Sequence, residues 1–218
     1  MIIGPRDKVD KIKVLLAKRW KCKDLGPATL FVGLQIERDS KIKTLKVHQS
    51  GYESRLLTRF GLDRANSRRL PFNSGVRLEP DTPFEDASLI RLYQQIVSCL
   101  LYLSNRSRPD ISWCVTQLAH FMSNPGESYL RAAKEVLRYI QGTRTYGLIY
   151  DCSQPSLALT GYSDASWGTT YEGKSYTSWE VLYYGATFAW CSNVQRSTAQ
   201  SLMESKIIAA NELSKELA

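Results

Sequence analysis

Residues able to do chemistry are thinly spread along this chain of 218 residues. Its five cysteines, Cys22, Cys99, Cys114, Cys152 and Cys191, are odd in number, widely spaced and free of any C-x-x-C pair, with only His48 and His120 to assist them. A disulfide scaffold and a structural zinc site both need denser arrays, so the pattern points to a reducing, intracellular setting, cytoplasm or nucleus. Ser163-Asp164 and the other serines have no histidine nearby, and a nucleophilic triad is not expected. Gly4-Pro5, Gly26-Pro27 and Gly185-Ala186 lack the spacing and the Lys-Ser/Thr of a phosphate loop, and no small-molecule substrate is expected. One adjacent acidic pair occurs, Glu85-Asp86, in a stretch without periodicity.

The cations are more informative. Residues 1–75 carry 17 Lys and Arg against 7 Asp and Glu, residues 76–155 carry 8 against 8, and residues 156–218 carry 4 against 6. The whole net charge of +8 therefore comes from the first third. A local surplus of this kind attracts a polyanion, and each neutralised phosphate of a nucleic acid releases condensed counterions. Lys8, Lys11, Lys18, Arg19, Lys21, Lys23, Lys41, Lys43 and Lys46 are the candidate nucleic-acid-binding residues; the competing reading is a solvated basic face with no partner.

The elements that must hold these residues follow from periodicity. Val9, Ile12, Leu15, Leu16 and Trp20 recur at helical spacing over residues 7–20, with lysines between them. Residues 29–37 and 44–48 are expected to pair as a hairpin, and residues 49–60 to form a short helix stopped at Gly61. Residues 61–87, with Pro71, Pro80, Pro83 and Gly75, read as a long connector. Three helices follow, on the stripes Leu89, Leu92, Tyr93, Ile96, Val97, Leu100, Leu101, then Ile111, Val115, Leu118, Ala119, Met122, then Tyr129, Ala133, Val136, Leu137, Ile140. Alternating strands are expected at 146–150, 158–166, 178–184 and 187–192, and a last helix at 199–217 that shows no stop signal before Ala218, as a truncated reading frame would. No apolar run approaches the roughly 18 to 20 residues that cross a bilayer, so no membrane partner is expected, and the opening residues do not read as a secretory signal.

Three segments together resemble the Pol polyprotein of copia-type LTR retrotransposons, over essentially the whole chain. The first is Lys21-Cys22-Lys23-Asp24-Leu25-Gly26 with Phe31-Val32-Gly33-Leu34-Gln35-Ile36-Glu37-Arg38. The second is Leu100 to Tyr102 with Arg108-Pro109-Asp110-Ile111, Phe121-Met122-Ser123-Asn124-Pro125 and Val136 to Thr143. The third is Gly161-Tyr162-Ser163-Asp164-Ala165-Ser166-Trp167, then Lys174-Ser175, Trp190-Cys191-Ser192 and Met203-Glu204. The resemblance implies an α+β chain in three parts. A basic, thumb-like end of a reverse transcriptase spans 1–75, a helical connection 76–145, and an incomplete ribonuclease H-like mixed β-sheet 146–218.

The resemblance also implies the chemistry. The family's polymerase holds its metals with an adjacent Asp-Asp pair placed just before a segment like Met1 to Pro5, and no such pair occurs here, so polymerisation is not expected. Its ribonuclease H gathers carboxylates on Mg²⁺, and Asp164 matches the first of them. Alignment through residues 211–216 puts Glu204 on a preceding glutamate and Lys206 where the second ligand belongs, and a cation there repels Mg²⁺. Glu204 is the substitute candidate, although two helical positions turn it about 200° around the axis. The resulting expectation is a fragment or relic of a Pol polyprotein without catalysis of its own. The alternative is a non-catalytic nucleic-acid-binding module, and a third reading is residual ribonuclease H activity through Asp164 and Glu204. The remainder of a Pol polyprotein is the other implied partner. An isolated ribonuclease H-like sheet is expected to leave apolar surface uncovered around Trp179, Trp190 and Ile208.

Overall fold

The structure, a computed structural model, describes residues 2, 4–72, 78, 81–153, 158–170 and 172–217; part of the connector, 73–77 and 79–80, lies outside these. The first helix, α1 (Arg6–Arg19), buries none of its residues, and Ile12, Val14 and Leu15 stay exposed on it with Trp20 just beyond. The residues 29–37 expected as one strand divide into β1 (Leu30–Phe31) and β2 (Leu34–Asp39), because Val32 and Gly33 both take positive φ and reverse the chain. Gly33 is required twice over, by that φ and by the Tyr102 side chain pressed against it, whose hydroxyl donates to Val32 O at 3.1 Å. β3 (Thr44–His48) pairs with β2 across a turn in which the Asp39 carboxylate accepts Lys41 N at 2.8 Å and Ile42 N at 3.2 Å. α2 (Ser50–Arg59) follows and closes just before Gly61, through Leu62 N to Leu57 O at 2.8 Å.

The centre of the molecule is a helical core. α3 (Ala87–Ser104) is capped by Asp86, whose carboxylate accepts Ser88 N at 2.7 Å. A short 3-10 turn, Pro109–Ile111, leads into α4 (Ser112–Ala119), and α5 (Glu127–Gly142) completes the set. Tyr93, Val97, Leu100, Val115, Leu118, Val136, Leu137 and Ile140 from the three stripes are fully buried against one another. Leu89, Leu92 and Leu101 from the same stripes pack only at the margin.

β4 (Leu148–Asp151), grouped by sequence with the third segment, is instead hydrogen-bonded antiparallel to β3, giving the sheet order β1-β2-β3-β4. The second sheet contains β5 (Thr160–Ser166), β6 (Tyr176–Tyr183) and β7 (Ala186–Val194) in that order. The expectation of a mixed sheet is corrected, since every strand pairing of the named strands is antiparallel. The pairs β1–β2, β2–β3 and β6–β7 are joined by short turns, which permit only the antiparallel sense, whereas β3 and β4 meet across the long intervening helical segment. α6 (Leu202–Leu217) lies across one face of this sheet, and the missing side chain of Gly161 leaves the room that Leu213 fills. The other face meets the helical core: Thr116 Oγ1 donates to Ser192 O at 2.8 Å and Trp190 Nε1 to Ser104 O at 2.8 Å. In the whole chain Trp179, Trp190 and Ile208 are half-buried. The sheets are joined as well, by Tyr150 Oη to Thr187 O at 3.0 Å and Asp151 N to Tyr184 O at 2.9 Å.

Among the described residues, no helix is long and apolar enough to cross a membrane.

Candidate functional site

Asp164 sits on β5, paired in register with Ser178 of β6, and its side chain is 73% exposed. Its carboxyl is held below the usual carboxylate range, first by a hydrogen bond from the Ala165 backbone and then by the Lys206 ammonium, whose Nζ lies 3.3 Å from Oδ1. It borders a cleft of about 460 Å³ between this sheet and the start of α4, with Trp113, Tyr162 and Trp190 on its walls and Glu180 as the other carboxylate.

Glu204 has a different occupation. Ser201 Oγ accepts the Glu204 backbone N–H at 3.1 Å, and Glu204 Oε2 reaches back to accept Gln200 N at 2.8 Å. This reciprocal arrangement caps the first turn of α6 and satisfies donors that the helix itself cannot. The two carboxylates expected to share a metal therefore have separate partners, a lysine for one and a helix start for the other. Among the described residues, no group of three or more His, Cys, Asp or Glu side chains is placed to hold a metal ion. Mg²⁺ wants several converging oxygens, and an ammonium 3.3 Å from the Asp164 carboxylate opposes it, so this donor set does not fit the ion.

The nine candidate nucleic-acid-binding cations are spread over the N-terminal elements. Lys8, Lys11, Lys18 and Arg19 are exposed on α1, Lys21 and Lys23 on the segment after it, Lys41 and Lys43 at the turn between β2 and β3, and Lys46 is half-buried on β3 opposite Glu37. Among the described residues none of the nine is held in an ion pair, whereas the neighbouring Lys13 bonds Asp24 at 2.9 Å.

Sequence reasoning missed two constellations. Arg108 is buried to 1% exposure, with Nη1 2.8 Å from Glu53 Oε1 and Nη2 2.8 Å from Asp110 Oδ2 and 2.7 Å from Thr143 Oγ1. Asp110 also accepts the Tyr139 hydroxyl at 2.9 Å, so one guanidinium ties α2, the 3-10 turn and the end of α5 together. Burial opposes the charge on Arg108, but Asp110 and Glu53 outweigh it and raise its pKa. Burial pushes the Glu53 carboxyl up to about 7 against the pull of Arg108, and its Oε2 has no donor among the described residues. The signal was present as Arg108-Pro109-Asp110, but one-dimensional spacing does not show that Glu53, 55 residues earlier, completes it.

The second corrects the expectation that no serine has a histidine nearby. Ser50 Oγ is 2.9 Å from His48 Nδ1, and His48 Nε2 is 3.0 Å from Glu37 Oε1. The Ser50 hydroxyl also lies 3.3 Å from Gln35 Oε1, which accepts Gly51 N at 2.8 Å. This network fastens β2 and β3 to the start of α2. The five cysteines are free thiols, and burial pushes that of Cys114 up to about 12, away from nucleophilic use.

Comparison with known proteins gives transposon proteins among the most similar relatives. The chain is 33% identical over its whole length to the retrovirus-related Pol polyprotein from transposon TNT 1-94 of Nicotiana tabacum, of which it covers 17%. It is 35% identical over 88% of its length to the putative transposon Ty5-1 protein of Saccharomyces cerevisiae, of which it covers 62%. It is 30% identical over 93% of its length to the retrovirus-related Pol polyprotein from transposon RE1 of Arabidopsis thaliana, of which it covers 14%. The chain thus spans less than two thirds of each of these relatives. No family model matches it, and no solved structure does. The order of its motifs and these relatives agree: the chain belongs to the retrovirus-related Pol polyproteins of copia-type transposons.

Proposed function

We propose that this chain is a part of a Pol polyprotein that is catalytically silent by itself. In this reading 1–75 is a thumb-like end of the polymerase, 76–145 the connection, and 146–218 the first part of a ribonuclease H-like domain. The parent activities, RNA-directed DNA polymerisation and hydrolysis of RNA in RNA–DNA hybrids, then require groups other than those present here. The observation that carries the reading is the ion pair of Lys206 with Asp164, together with the diversion of Glu204 into a helix cap. An ammonium against the strand carboxylate neutralises the charge that would recruit Mg²⁺ or orient a water. The test is incubation with Mg²⁺ or Mn²⁺ and an RNA–DNA hybrid: no cleavage is expected, and cleavage that disappears in Asp164→Asn overturns the proposal.

A second reading, non-catalytic binding of nucleic acid through the first third, is favoured by the nine cations without ion-pair partners. It predicts sequence-independent affinity that falls steeply with salt, with a log–log slope near −0.9 per phosphate contacted on duplex DNA. Replacing Lys8, Lys11 and Lys18 by Gln then lowers the slope by up to roughly 3. An unchanged slope rejects it.

A further inference from the structure

We infer that the chain carries a second phosphate-binding face, formed by the C-terminal half of α5 and the loop 63–69 that lies on it. The inference rests on the nucleic-acid reading above and adds to it a surface that counting charge along the sequence conceals. Lys134 and Arg138 belong to a middle third whose net charge is zero, while Arg64, Arg68 and Arg69 belong to the basic first third. Folding brings them together. Gln141 Nε2 donates to Asp63 O at 2.7 Å, Arg138 Nε to Asn66 O at 2.7 Å, and Arg68 N to Arg138 O at 3.2 Å. Gly142 completes the seat, since a side chain there would strike Ser67.

The loop is therefore fixed to the helix at several points along its length. Holding it in place before any ligand arrives removes much of the ordering cost that a flexible basic segment pays on binding. Among the described residues, the carboxylates in contact with these cations are Glu135 and Asp63. Glu135 is spent between Arg68 and Arg138, which it bonds through separate oxygens, so it aligns two guanidinium groups instead of leaving a free negative charge. Asp63 reaches Arg64 only at 4.0 Å, and the Arg64 side chain is 96% exposed. Arg69 and Lys134 are exposed and have no ion-pair partner among the described residues. Farther toward the start of α5, Arg131 lies within electrostatic reach of Asp81 and is not part of the face.

Four of the five cations are arginines, whose planar forks take up phosphate oxygens in pairs. Lys134 and Arg138 are one helical turn apart, about 6 Å of rise, which spans roughly two phosphates along one strand of a duplex. The occupant is a nucleic-acid backbone, read for its charge and not for its bases.

The test uses the full chain and a fluorescein-labelled DNA duplex of about 20 base pairs, titrated by anisotropy from roughly 50 to 200 mM salt. The triple variant Arg64→Gln, Arg69→Gln, Lys134→Gln leaves Arg68, Glu135 and Arg138 in place, and its urea melt reports whether the fold is intact. The expected result is a salt slope reduced by up to about 2.7, with the melt unchanged and with polyglutamate failing to compete. A reduction in this variant but not in Lys8→Gln, Lys11→Gln, Lys18→Gln supports the face and removes the N-terminal reading. The converse removes the face and keeps the N-terminal reading. An unchanged slope in a folded variant, equal competition by polyglutamate, or no binding by the native chain at the lowest salt each overturns the inference, and the last of these overturns both readings together.

Discussion

The Lys206 ammonium, about one turn into α6, lies 3.3 Å from Asp164 Oδ1 on the facing sheet. Both side chains are more than half exposed, so this contact governs the local charge of the strand and contributes little to holding the fold together.

Replacing Lys206 by Gln is accordingly expected to move the Asp164 carboxyl upward, toward its ordinary value, while changing stability by less than about 1 kcal/mol. Because the folded value of Asp164 is depressed, the small stabilisation it contributes is present at neutral pH and is lost as pH falls through that value. Carbon-detected NMR titration of Asp164 in both proteins checks the shift. An unaltered titration in Lys206→Gln contradicts the assignment of the pair.

Ser201→Ala removes the hydroxyl that accepts the Glu204 N–H at the start of α6. A loss of about 0.5 to 2 kcal/mol is expected from the capping interaction. Equilibrium urea unfolding measures it, and an unchanged midpoint shows that the cap is not made in solution.

Arg108→Met leaves Glu53 and Asp110 facing one another without their common cation. Removing one partner of a buried ion pair costs about 3 to 5 kcal/mol, enough to unfold a marginal domain. Leu15→Ala, on a helix that buries nothing, is expected to stay within about 0.5 kcal/mol of the native chain. The two melts together separate the core from the exposed N-terminal helix, and similar losses from both contradict the structure.

The pH dependence of stability carries the mark of Glu53. Its folded value, about 7, lies above the ordinary 4.5, so its contribution is complete below the lower value and is lost as pH rises through the upper one. Stability is expected to fall between these limits with a slope from this group approaching 1.4 kcal/mol per pH unit at most, roughly. Glu53→Gln should flatten that part of the profile. A native-like slope in the variant assigns the effect to other groups.

Much of the helical part was legible in the sequence, because the stripes through Tyr93, Val115 and Val136 repeat at helical spacing and are buried for that reason. The β-strands were legible as strands but not as sheets. Residues 148–151 alternate like any edge strand, and nothing local says that they pair with Thr44 to Val47 rather than with the strands that follow. The break at Val32–Gly33 was concealed by the β-forming residues around it, and it depends on Tyr102, far away in sequence. At the candidate site, Lys206 could be read as an opposing charge from the motif alone. The capping role of Glu204 was equally present as Ser201 followed three residues later by a glutamate, a pattern read only for its metal-binding potential.

With the Lys206 ammonium against the Asp164 carboxylate and Glu204 held in a helix cap, no cleavage of an RNA–DNA hybrid by this chain is expected. Incubating the native chain, Asp164→Asn and Lys206→Glu with Mn²⁺ and a labelled RNA–DNA hybrid tests it most directly. Intact RNA is expected with the native chain and with Asp164→Asn. Metal-dependent cleavage by the native chain, abolished in Asp164→Asn, contradicts it.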